Sequence, residues 1–137
     1  MSAFKYDNVI PLFNNPVSAG FPSPAESYVE RNLNLHDHLV HKPAATFFVR
    51  VSGNSMVNIG IYDGDLLVVD RSIEPRNRSI VVAVVNGEFT LKRLIKHNGR
   101  IYLRPENDGY TEIAVTGDTQ FEVWGVALHN VHDLRNV

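Results

Sequence analysis

The chain has 137 residues, 44% of them hydrophobic and 20% charged, which suffices for one compact core with an appendage and not for two full domains. Thirteen basic against fifteen acidic residues leave a net charge of -2, so charge alone holds neither DNA nor an anionic membrane. With no cysteine, disulfides, thiolate metal sites and a cysteine nucleophile are all excluded, which fits the cytosol.

Met1 to Ile10 lacks the basic start and apolar middle of a signal peptide, and no apolar run approaches the roughly 20 residues that cross a bilayer, so a soluble, cytoplasmic protein is expected. Residues 1–24 carry Pro11, Pro16, Pro22 and Pro24 among Asn14, Asn15, Ser18 and Gly20, with no useful periodicity, and read as an extended arm. Ser23-Pro24-Ala25-Glu26 then has a hydroxyl, a proline and a carboxylate where a helix start needs its N-cap, N1 and N3. A short helix is predicted from there, with Ala25, Tyr28, Val29, Leu33, Leu35 and Leu39 as a loose apolar stripe, ended by Pro43.

From Ala45 the texture is β. Strands are predicted over Thr46–Val51, Asp65–Asp70, Ser79–Val85, Glu88–Ile95, Arg100–Arg104, Thr111–Val115 and Thr119–His129. Asn86-Gly87 has the signature of a two-residue hairpin turn, and His97-Asn98-Gly99 supplies a second turn. Strands in succession, with helical material confined to the arm, predict a mainly β protein of bent antiparallel sheets. Its division is expected at residues 1–44, arm and helix, and 45–137, the β domain. Phe121, Val123, Trp124 and Val126 are more apolar than a small core needs, which suggests either a dimer surface or ordinary core burial.

Ser52-Gly53-Asn54-Ser55-Met56 follows a strand, so the Ser55 hydroxyl and backbone N–H can face a cleft from a tight turn. Taken alone, such a segment is most often only a polar turn. A serine nucleophile needs a base, usually histidine. None of the six histidines falls on a strand beside that turn: His36, His38 and His41 crowd the helix end, His97 lies in a turn, and His129 and His132 read as terminal and solvated. His36-x-His38-x-x-His41 lacks the second ligand segment a metal would need, so neither a metal nor a cofactor is expected. Lys92 is the other candidate base. It sits inside a strand, and alternation puts Thr90, whose hydroxyl could orient the amine, on its own face. As a general base it must be neutral, which means lowering a pKa of about 10.4 to nearer 7 or 8, roughly 4 kcal/mol of desolvation. An exposed lysine on a partly polar face is the plainer alternative.

Taken together, Phe21-Pro22-Ser23-Pro24-Ala25, Tyr28-Val29-Glu30, Gly53-x-Ser55-Met56, Gly60-Ile61, the run from Asp63-Gly64-Asp65 to Asp70, and Asn86 to Lys92 resemble the LexA/UmuD family of self-cleaving Ser/Lys proteins, peptidase family S24. The likeness runs from the Gly20 region to Val126. It is closest to the UmuD branch, because only 19 residues precede Gly20, too few for the helix-turn-helix domain of the LexA repressors. Asn54 stands where many members have aspartate, and Ala19 matches LexA where UmuD has cysteine.

The resemblance implies a signal-peptidase-like β-clip fold. It also implies a scissile bond at Ala19-Gly20, Ser55 as nucleophile and Lys92 as general base, with Thr90, Gly53 and Met56 in support. It further implies a homodimer, cleavage provoked by RecA on single-stranded DNA, and a product joining a UmuC-like Y-family polymerase in SOS mutagenesis, with no sequence-specific DNA binding and no membrane. The alternatives are a non-cleaving interaction module with a vestigial site, and a signal-peptidase-like enzyme, which would need a membrane anchor.

Overall fold

The computed structural model describes residues 8–13, 20 and 29–136. The chain divides into two units, residues 1–41 and 42–137.

In the first unit, β1 (Val9–Phe13) pairs antiparallel with β2 (Val29–Asn34), in register Val9 with Asn34 and Leu12 with Arg31. This corrects two expectations. Val9–Phe13 is extended, as read, but it is a paired strand, because β2 supplies the ladder that an isolated arm lacks. Val29–Asn34 is strand where helix is predicted, and the Ser23-to-Glu26 cap signal lies outside the described residues. The helix itself, α1, covers only Leu35–Leu39. It starts at Asn34, whose side chain accepts from the Asp37 N–H at 3.1 Å, with Asp37 in the first turn where the helix dipole favours an acid.

The second unit is one seven-stranded antiparallel sheet. In spatial order it runs β3 (Thr46–Arg50), β4 (Leu66–Asp70), β9 (Phe121–Val131), β5 (Ile80–Val85), β6 (Glu88–His97), β7 (Arg100–Arg104) and β8 (Ile113–Val115). The mainly antiparallel β architecture is the one expected. Asn86 and Gly87 both have positive φ, 49° and 85°, and join β5 to β6, while Asn98 and Gly99 do the same between β6 and β7.

Side-chain alternation along β5 splits the interior into two cores. Val82 packs with Val51, Met56, Ile61, Leu67 and Val69, whereas its neighbours Val81 and Ala83 pack with Leu94, Leu103 and Val126. The long β9 feeds both. Its register against β5 slips between Val82 and Ala83, where Gly125 and then Val123 are the partners, so Trp124 is bulged out. Phe121 and Val123 therefore pack against the second core, where Val126 is buried, and Trp124 packs against the first, with the Phe47 ring at 5.1 Å. Within the chain Val126 is buried, while Phe121, Val123 and Trp124 are half-buried against the two cores, so core packing takes up part of this apolar excess.

Candidate active site

β3 ends at Arg50, and the chain then turns through Gly53, whose φ of +88° suits glycine, to reach Ser55. Hydrogen bonds fix this loop from both sides. Upstream, the Val51 N–H donates to Asp65 O at 2.9 Å, the Gly64 N–H to Val51 O at 2.8 Å, and the Gly53 N–H to the Asp63 carboxylate at 2.7 Å. Downstream, Asn54 O accepts from Asn107 Nδ2 and Ser55 O from the Glu106 N–H, both at 2.7 Å. The Met56 side chain is buried in the first core and its carbonyl accepts from Ile59 and Ile61. The carbonyls of residues 54, 55 and 56 are thus all occupied. Among the described residues no acceptor takes the N–H of Asn54, Ser55 or Met56.

Lys92 comes from the middle of β6, opposite Val81 on β5, and is only 9% exposed. Its Nζ lies 2.6 Å from Thr90 Oγ1, 3.1 Å from Leu91 O and 3.5 Å from Ser55 Oγ. Burial lowers the Lys92 pKa from the ordinary lysine value, because the charged form loses water. The next residue ties the two halves of the site together. Arg93 Nε donates to Glu106 Oε2 at 2.8 Å, and Glu106 is the residue whose N–H holds Ser55 O.

Ser55 and Lys92 open on a cleft of about 420 Å³ lined by the loop from Val49 to Met56, by Leu67 and Val82, by Phe89 to Lys92, and by Tyr110. Ser55, Lys92, Thr90, Gly53 and Met56, all singled out from the sequence, therefore meet at one place. Gly20 is exposed, and Ala19 lies outside the described residues.

His36, His38 and His41 are exposed, and among the described residues no cluster of three or more His, Cys, Asp or Glu could hold a metal. One histidine corrects the sequence reading. His132 is not a solvated terminal residue: its Nδ1 hydrogen-bonds the buried Asp65 carboxylate, and its ring lies 5.1 Å from that of Tyr62. Sequence reasoning also missed Glu106 and Asn107, which clamp the serine loop. Both relationships join residues at least 50 apart, and no local pattern signals them.

The peptidase S24-like family matches residues 11–128. The chain belongs to that family. Protein MucA of Salmonella typhimurium is 46% identical over 123 residues, covering 89% of this chain and 84% of MucA. Protein ImpA of Escherichia coli is 43% identical over 129 residues, covering 94% of this chain and 88% of ImpA. The LexA repressor of Idiomarina loihiensis is 42% identical over 120 residues, or 87% of this chain but 58% of the repressor. The S24 family expected from the residue pattern is the family found. Among the described residues, no helix is long and apolar enough to cross a membrane.

Proposed function

We propose that this S24 chain is a self-cleaving serine endopeptidase that cuts its own Ala19-Gly20 bond, with Ser55 as nucleophile and Lys92 as general base. The observation that carries the reading is the buried Lys92 amine, 3.5 Å from Ser55 Oγ and bonded otherwise only to acceptors. A neutral amine has two hydrogens and one lone pair. With the hydrogens given to Thr90 Oγ1 and Leu91 O, the lone pair is left for the serine hydroxyl. The 3.5 Å separation is long for a proton transfer, as such contacts often are before a substrate tightens them.

Ser55 Oγ attacks the Ala19 carbonyl carbon and its proton passes to Lys92. The uncommitted N–H groups of the serine loop then face the oxyanion. Collapse breaks the Ala19-Gly20 bond, Lys92 returns the proton to the departing Gly20 amine, and residues 1–19 remain as an ester on Ser55. Water, losing a proton to Lys92, attacks that ester; the acid leaves and Ser55 regains its hydrogen.

Family membership supports the wider reading. RecA assembled on single-stranded DNA provokes the cut, and residues 20–137, as a homodimer, become the accessory subunit of a UmuC-type translesion polymerase in cytoplasmic SOS mutagenesis. Mass spectrometry of the chain after mixing with RecA, nucleotide and single-stranded DNA tests it. A product beginning at Gly20 supports the reading, and an intact chain, or a cut elsewhere, opposes it.

A further inference from the structure

Asp65 opens the connection into β4 and is only 3% exposed. Its Oδ2 accepts from Asn130 Nδ2 at 2.7 Å and from the Tyr62 N–H at 2.8 Å, and its Oδ1 faces His132 Nδ1. Burial raises the Asp65 pKa, but the bonds from Asn130, His132 and Tyr62 outweigh it and hold the carboxyl below the ordinary value, as an acceptor. Asn130 also donates to Gly60 O at 3.2 Å. The last residues of the sheet and those just after it therefore grip the turn from Gly60 to Asp65.

That turn in turn grips the serine loop. Asp65 O accepts from Val51, Gly64 donates back to Val51, and Asp63 takes the Gly53 N–H. Val51 and Gly53 stand four and two residues before Ser55. An unbroken set of hydrogen bonds thus runs from residue 132 to the nucleophile's turn. Among the described residues, two buried atoms of the cluster, Asn130 Oδ1 and His132 Nε2, have no hydrogen-bond partner.

We infer that Asn130 and His132 are positioning residues: acting through Asp65, they set the place of Ser55 Oγ from the far end of the chain. The inference rests on the reading of Ser55 as nucleophile. Without its donors, the buried carboxylate must find new partners by moving the 60–65 turn, and a shift of about 1 Å at a reacting atom can cost on the order of a hundredfold in rate.

The test uses the full chain and a fluorophosphonate, in which the Ser55 oxygen displaces fluoride from phosphorus, so neither the arm nor a trigger is needed. His132→Leu is expected to slow labelling of Ser55 at least roughly tenfold. His132→Asn, whose Nδ2 can reach the position of Nδ1, should restore it to within roughly threefold. Leu103→Val, a second-core variant that lowers the melting temperature without touching the turn, should label like the parent. Asn130→Ala should slow labelling as His132→Leu does, and it stands in for that variant should the leucine chain not fold.

Labelling of the folded donor variants at the parental rate, equal slowing by Leu103→Val, or no rescue by asparagine each overturns the inference while leaving the dyad intact. A parent chain that takes no label at Ser55 removes the nucleophile assignment itself, and this inference with it.

Discussion

Thr90 Oγ1 lies 2.6 Å from Lys92 Nζ, nearer than Ser55 Oγ at 3.5 Å. The threonine sits two residues back on the same face of β6, so its hydroxyl fixes where the amine points before any substrate arrives. Thr90→Val keeps the shape and removes the acceptor. Self-cleavage at alkaline pH should fall roughly tenfold, equivalent to about 1.4 kcal/mol, with little change in melting temperature, and Thr90→Ser should recover most of the rate. Cleavage time courses beside thermal melts read both quantities. A valine variant as fast as the parent would show that Thr90 does not aim the lysine.

Burial of Lys92 has a second consequence, for stability against pH. Its folded pKa is lowered, so between that value and the unfolded one, about 10.4, the unfolded chain binds more protons and stability rises with pH. Charging the buried amine is therefore a cost at neutral pH. Lys92→Met should melt higher than the parent at pH 7, and the advantage should shrink toward pH 10. In the parent, the cleavage rate should climb tenfold per pH unit below the lysine's folded pKa and level off above it. Melts and rates across pH 6 to 10 check both. A parental rate that does not change over that range contradicts a lysine base.

Gly20 lies beside the proposed scissile bond, and an added Cβ there would meet no atom within 4 Å. Gly20→Glu should therefore fold normally while its bulk and charge bar the bond from a small-residue subsite. Cleavage should drop at least roughly a hundredfold with an unchanged melting temperature. Normal cleavage of this variant, read by mass spectrometry, would place the cut elsewhere.

Gly125 tests the packing that carries the site. A Cβ at this position would stand 2.6 Å from Val69 Cγ1 and 3.4 Å from Asp70 O, where β9 crosses the fully buried Val69 of the first core. Gly125→Ala should cost about 1–3 kcal/mol by overpacking, measured as a lower urea midpoint with an unchanged slope. An unaltered midpoint would mean that β4 and β9 can move apart without penalty.

What could be read from the residues follows from how local each signal is. Asn86-Gly87 marks its hairpin without outside help, and the alternation of Thr90 and Lys92 puts both on one face whatever the sheet around them. All seven predicted strands from Thr46 onward exist, within a few residues at their ends. Val29–Asn34 was opaque because Val29 and Leu33 fit a helical stripe as well as a strand. Pairing with Val9–Phe13, twenty or so residues away, decides the matter, and no local propensity reports that contact. For Trp124 the residues alone leave dimer surface and core burial equally open, because the bulge that sets its packing against the first core depends on β5. The bond between His132 and Asp65 spans 67 positions, so His132 carries no mark of it in sequence.

Incubation of the purified chain at pH 9 to 10, followed by intact mass measurement, tests the proposed dyad most directly, since alkaline pH supplies the neutral lysine without any partner. The parent should yield a fragment of residues 20–137, while Ser55→Ala and Lys92→Ala, both folded, stay whole with rates at least roughly a thousandfold lower. A parent that remains intact, or a Ser55→Ala chain cut at the same bond and rate, would contradict the account.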